Sequence, residues 1–152
     1  MVKPVYPRIQ RFIARHHVLT LAVSNGNVPY CAHCFYSYLP DDNLFVFTSD
    51  PDTRHIRDAA GSGNIRVAAG IALETKIVGK VRGLQITGRL YLPDEPLSAK
   101  IRHAYLKRFP YARLTTLHLW ALQPDFMKLT DNRLGFGTKL IWQVEQGENG
   151  KG

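Results

Sequence analysis

The densest chemistry in the chain lies between Phe45 and His55, in the string FVFTSDPDTRH. An apolar run from Leu44 to Phe47 ends in two hydroxyls, Thr48 and Ser49. An Asp-Pro-Asp turn follows, and a helix is expected to open with Thr53, Arg54 and His55. Hydroxyls, the free backbone N–H groups of a helix start and a guanidinium are thereby gathered within a few residues. That set holds a phosphate, because the helix start favours an anion and the guanidinium adds charge-assisted hydrogen bonds. The competing reading is a self-capped helix, in which Asp52 accepts the same amides and Asp50 repels an anion.

A second group, Cys31, His33 and Cys34, lies in one extended, aromatic-rich segment. Side chains alternate along a strand, so Cys31 and Cys34 point to opposite faces and do not bridge. Zinc is not expected, since no second CxxC or HxxxH segment completes a ligand set. A redox CxxC pair opens a helix, whereas Phe35-Tyr36-Ser37-Tyr38 reads as extended. Both thiols are therefore expected to be reduced, and His33 to line a cleft or an interface. Further along, Gln85 sits on the polar face of a long strand, with Leu84, Ile86 and Leu90 on the other face.

These residues need a scaffold, and the bulk composition sets its class. At 152 residues, 45% hydrophobic and 21% charged, the chain fits one domain with a core of its own. No apolar run reaches the roughly 18 residues of a membrane span. MVKPVYPRIQRF lacks a secretion-signal core, so a cytoplasmic location is expected. The net charge of +8 favours anionic partners. Its densest group, Lys100, Arg102, His103, Lys107 and Arg108, fits the solvated face of one helix, and no basic stripe interleaved with aromatics suggests nucleic acid.

Val5, Ile9, Phe12 and Ile13 follow helical spacing, predicting a first helix from about residue 5 to His16. Strands are expected over 18–24 and 28–39, joined by an Asn25-Gly26-Asn27 turn, and over 44–49 after Pro40-Asp41-Asp42-Asn43. A short helix over 53–60 should stop at Gly61-Ser62-Gly63-Asn64. Strands over 65–73 and 80–92 follow, Gly88 marking a bulge or a close backbone approach. Asp94-Glu95-Pro96 opens a helix that Pro110 stops. Two strands, 117–122 and 126–130, are expected on either side of Gln-Pro-Asp. Hairpins outnumber crossovers, so the pattern is a mainly β, antiparallel barrel with peripheral helices over 1–143 and a flexible tail over 144–152.

This order of elements, with the hydroxyl-ended third strand and the TR helix start, resembles the pyridoxamine 5'-phosphate oxidase-like split-barrel flavoproteins. The segments TRHIR (53–57), RGLQITGRL (82–90), RFPYAR (108–113) and TDNRLGFGTKLIW (130–142) resemble a small bacterial branch of that superfamily. The resemblance implies a split barrel that forms a homodimer, with FMN in clefts at the subunit interface. It assigns the phosphate to Thr48, Ser49, Thr53 and Arg54, with Thr53 standing where the oxidase has arginine. His33 and Cys34 would run along the flavin ring and Gln85 would meet its edge; the oxidase's own glutamine aligns nearer Gly83. Lys139 and Trp142 would complete the site from the partner subunit. The oxidase's substrate-binding arginine and histidine have no counterpart here, so pyridoxamine phosphate is not the expected substrate.

The function expected from these readings is FMN-dependent oxidoreduction of a small molecule, with no catalytic acid or base assigned. The alternative on the same fold is a non-catalytic flavin, deazaflavin or haem binding or sensing protein, in which His16, His17, His33 or His118 would have to ligate haem.

Overall fold

The computed structural model describes residues 3–61 and 65–145. In chain order the elements are α1 (Pro7–Arg15), β1 (Val18–Asn25), β2 (Val28–Leu39), β3 (Leu44–Thr48), α2 (Arg54–Gly61), β4 (Arg66–Ala72), β5 (Arg82–Tyr91), α3 (Leu97–Arg108), β6 (Leu119–Asp131) and β7 (Lys139–Gln143). The strands form one antiparallel sheet in the order β3-β2-β1-β4-β5-β6-β7, and pairing of β3 with β6 closes the first six into a barrel. The antiparallel barrel with peripheral helices is thus the fold expected.

Local chemistry explains most of the path. The β1–β2 hairpin turns on Gly26 and Asn27, both at positive φ (56° and 62°), as a two-residue type I′ turn requires. Strand β3 is buried on both faces, which accounts for its unbroken apolar run. Phe45 and Phe47 enter the barrel interior, while Leu44 and Val46 join a second core beneath Ile101 and Tyr105 of α3. Helix α1 closes one mouth of the barrel with Ile9, Phe12 and Ile13. Arg108, at the end of α3, is structural: its guanidinium donates to the carbonyls of Tyr36 (2.9 Å), Ala14 (3.4 Å) and His16.

Two expectations need correction. Gln-Pro-Asp does not separate two strands; β6 runs continuously through it. The register against β5 shifts between Thr87↔Phe126 and Gly88↔Pro124, leaving Asp125 as the extra residue of a bulge. A bulge is where an interior strand tolerates proline, so the missing N–H of Pro124 breaks nothing. The Asp125 carboxylate then accepts hydrogen bonds from Thr87 Oγ1 (2.9 Å) and from Arg66. Strand β7, not expected from the sequence, pairs with β6 from Phe126↔Gln143 to Thr130↔Lys139. Residues 62–64 of the expected helix stop, and 146–152 of the expected tail, lie outside the described residues.

Gly88 satisfies both readings of its role, since it sits at the bulge and a Cβ there would fall 2.1 Å from the Gln123 carbonyl oxygen. Backbone cannot yield as a side chain does. Gly88→Ala is therefore expected to destabilise by about 3 kcal/mol, the upper range for forced overpacking, as read by urea denaturation. A loss below about 1 kcal/mol would mean the bulge relaxes freely.

Candidate functional site

The hydroxyl corner at the end of β3 is real but divided. The ladder pairs Tyr36 with Phe47, so alternation sends Thr48 to the outer face of the barrel and Ser49 inward, where it is 8% exposed. Ser49 Oγ lies 2.8 Å from His55 Nε2, and the Ser49 backbone is clamped on both sides. Its N–H donates to the His118 carbonyl (3.0 Å), and its own carbonyl accepts from Trp120 Nε1 (3.0 Å). Thr48 Oγ1 accepts from the His118 N–H (3.1 Å), which leaves its hydroxyl proton available to donate outward.

The turn beyond it closes on itself. Both the N–H and the hydroxyl of Thr53 donate to the Asp50 carbonyl, at 3.1 and 2.8 Å. Thr53 is thus a turn-former, its proton already committed. The first helical bond of α2 runs from Arg57 N to Thr53 O (3.0 Å), so the amides of Arg54, His55 and Ile56 precede it, at the positive end of the helix. Asp52 is exposed. Arg54 is also exposed; its Nε lies 3.3 Å from Asp58 Oδ2, and its guanidinium stacks 4.1 Å from the Tyr30 ring centre. Asp50 Oδ1 lies 3.9 Å from His118 Nε2.

A second surface is assembled across the sheet. The ladder sets His33, Thr20, Gly70, Gln85, Lys128 and Ile141 in one row on the outer face. His33 and Gln85 therefore share a face, three strand spacings or about 14 Å apart. Between them lie small side chains, and a groove of about 620 Å³ runs past Thr20, Gly70, Gly83 and Gln85. Apolar residues stand in or beside the row: Val18, Phe35 and Ile141 are 41%, 61% and 50% exposed. His33 Nδ1 lies 3.0 Å from Thr20 Oγ1, which fixes the ring and leaves Nε2 pointing away from that contact.

The remaining expected site residues fall apart from one another. Cys34 is buried in the barrel core beside Ser49, and burial pushes its thiol up to about 11 despite the Ser49 hydrogen bond. Cys31 is exposed, on the opposite face as expected. Lys139 is exposed at the start of β7. Trp142 lies away from both surfaces: it is 1% exposed, packs in the main core, and donates its indole N–H to the Pro4 carbonyl (3.0 Å). Conversely, His55 reads in the sequence only as part of a helix start, yet it holds the corner through Ser49. Its signal is the turn itself, whose length returns the ring to the strand end.

Among the described residues no helix is long and apolar enough to cross a membrane, and no group of three or more His, Cys, Asp or Glu is placed to hold a metal. No protein-family model matches the chain. It is 41% identical over 135 residues to a UPF0306 protein of Cronobacter sakazakii, covering 88% of this chain and 92% of that one. It is 36% identical to the UPF0306 protein YhbP of Escherichia coli O157:H7, covering 88% and 90%. Among solved structures, a haem-binding protein from Mycobacterium smegmatis superposes with a TM-score of 0.75 at 19% identity over 94% of this chain; the chain spans 60% of that protein. A FAD-binding protein from Mesorhizobium loti gives 0.65 at 17% identity, covering 80% and 89%. HutZ, the haem storage protein from Vibrio cholerae, gives 0.61 at 17% identity, covering 80% and 91%. These likenesses establish the split-barrel fold.

Two outcomes follow from the corner. With Cys34 buried and its thiol raised to about 11, Ellman's reagent at mildly alkaline pH should titrate one thiol, Cys31, quickly and the second only after denaturation. Two equally fast thiols would place Cys34 at the surface. Burial also lowers the pKa of His55 below its ordinary value, so the folded state disfavours its proton. Its contribution to stability is full above about pH 6.5 and is lost as pH falls through the folded pKa. The acid-side decline in urea midpoint should be shallower in His55→Gln than in the parent.

Proposed function

We propose that this chain, which belongs to the UPF0306 protein family, binds FMN between two copies of itself and serves as an oxidoreductase for a small molecule. The observation that carries this reading is the corner beside the outer face. Thr48, the first-turn amides of α2 and the exposed Arg54 gather at the end of β3, and on the outer face of the same barrel small residues leave a groove. Side chains at Gly70 or Gly83 would meet only ordinary contacts, at 3.9 and 3.7 Å, yet would fill that groove. The residues present therefore suit a flat ring with an anionic tail.

Each residue then has a physical task. Arg54 turns from Asp58 to the phosphate; an exposed i,i+4 pair contributes only about 0.3–0.5 kcal/mol, so a dianion outcompetes it. Thr48 donates its free hydroxyl proton to a phosphate oxygen, and the α2 amides add their dipoles. Ser49 and His55 act from beneath, holding the turn to the strand end. Gln85 and His33 address the ring from the outer face, and Lys139 sits at its rim. FMN, when bound, supplies the hydride chemistry; the protein supplies orientation and exclusion of water. Val18, Phe35 and Ile141, exposed on the same face, support its burial against a second copy.

A haem reading rests on one specific observation. The Thr20 contact at His33 Nδ1 orients the ring as a hydrogen-bond partner orients a metal-bound histidine, with Nε2 outward. Two structural neighbours are named as haem-binding or haem-storage proteins.

Mass identification of the small molecule released on denaturation separates the two. Flavin is expected, in a dimer, and Arg54→Ala should weaken FMN binding by about 1.5–3 kcal/mol. Failure to bind FMN, together with a Soret band on haem addition that His33→Ala abolishes, would replace the flavin reading with the haem one.

A further inference from the structure

The mouth of the barrel closed by α1 carries five guanidinium groups. Arg8, Arg11 and Arg15 are spaced three and four apart and so share one face of α1; Arg82 opens β5, and Arg133 lies in the 3-10 turn Asn132–Leu134 after β6. With Phe12, Leu129 and Asp131 they line a concavity of about 260 Å³. Arg82 is on the inward face of β5 with Leu84 and Ile86, whereas Gln85 is on the outer face. The concavity thus opens on the α1 side of β5; Arg82 lines both it and the flavin groove, but its case needs no flavin.

One carboxylate serves the cluster, and its oxygens are already engaged. Asp131, 1% exposed, is gripped by Arg133 through Nε to Oδ1 (3.0 Å) and Nη2 to Oδ2 (2.9 Å). The Arg133 N–H adds a third bond to Oδ1 (3.0 Å), and Arg8 Nη1 lies 3.6 Å from Oδ2. Among the described residues Arg11 and Arg15 make no hydrogen bond or ion pair, and the buried Nε of Arg82 has no hydrogen-bond partner. A buried donor without an acceptor is costly, and like charges one helical turn apart repel. An anion entering this space removes both penalties. Guanidinium groups match phosphate oxygens in pairs, and Phe12 with Leu129 offers an apolar wall for what the phosphate is attached to.

We propose that Arg8, Arg11, Arg15, Arg82 and Arg133 form a binding site for the phosphate group of a small phosphorylated molecule. The volume admits a phosphate or diphosphate with a short organic portion. Arg11 and Arg15, exposed and without an ion pair among the described residues, supply the charge that the half-buried Arg82 and the committed Arg133 cannot complete alone.

The test is calorimetric titration of the full chain with inorganic pyrophosphate at fixed ionic strength, with succinate as the carboxylate comparison. Pyrophosphate should bind and raise the melting temperature above an ionic-strength-matched chloride control, with succinate weaker. The double variant Arg11→Gln/Arg15→Gln changes two exposed side chains and leaves the core intact. It should raise the pyrophosphate Kd at least roughly tenfold, while its ligand-free melting temperature is equal or higher because repulsion is relieved. Arg54→Ala should leave this affinity unchanged. No stabilisation beyond chloride, equal binding of succinate, or affinity lost in Arg54→Ala but kept in the double variant would each overturn the proposal, the last by moving the phosphate to the α2 corner.

Discussion

Strand β6 carries a constraint that the rest of the molecule obeys. Along one edge it pairs with β5 from Tyr91↔Ala121 to Arg82↔Asp131. Its other edge pairs first with β3, through Leu119 to Leu122, and later with β7, through Phe126 to Thr130. One strand can serve both edges only if it bends between the two partners. The bend is the bulge at Asp125, where Pro124 has no donor to lose and Gly88 lets the backbones approach. Asp125, left unpaired in the ladder, is not left unsatisfied, because Thr87 and Arg66 both donate to it. Without this bend β3 would have no partner beyond β2, and the end of β3 is where Thr48 and Ser49 are displayed.

Once the barrel closes, alternation decides which chemistry faces which environment. Neighbouring residues are sent to different places: Thr48 outward and Ser49 inward, Cys31 to solvent and Cys34 to the core, Gln85 to the groove and Arg82 to the α1 mouth. A cluster of hydroxyls or cysteines in the sequence therefore does not imply a cluster in space. Ser49 shows what the inward partner does instead. Its hydroxyl meets His55, its backbone is pinned by His118 and Trp120, and the outward Thr48 inherits a fixed position.

Alternation and long-range pairing also separate what the sequence discloses from what it withholds. Hairpins written in local turn chemistry, such as Gly26-Asn27, are legible, as are the helices marked by apolar spacing and by proline. Gly88 is legible because a strand interior gives up a side chain only where backbone bends or another group comes close. The continuity of β6 is hidden because Pro124 in a strand interior normally ends it, and only the pairing reveals a bulge. Strand β7 is hidden because KLIWQ is five residues whose alternation is too short to stand out. Trp142 is ambiguous because an aromatic this late in the sequence looks equally suited to a partner's site and to a core. Its indole N–H bond to Pro4 is a contact no window of sequence contains.

The same reasoning bears on the positive charge. A net +8 spread through the chain argues for anions without locating any. Folding sorts it by what each cation finds. Lys100 meets Asp42, Arg66 meets Asp125, and Arg108 is consumed by three backbone carbonyls. Two of the places where the remaining cations stand differ in character. At the α2 corner one guanidinium works with a hydroxyl and backbone dipoles, an arrangement that positions an anion but contributes little repulsion when empty. At the α1 mouth several guanidiniums outnumber one saturated carboxylate, so the empty state is itself strained electrostatically. On the proposed readings, the first arrangement would serve a cofactor held mainly by its ring, whereas the second would respond steeply to the charge of whatever enters.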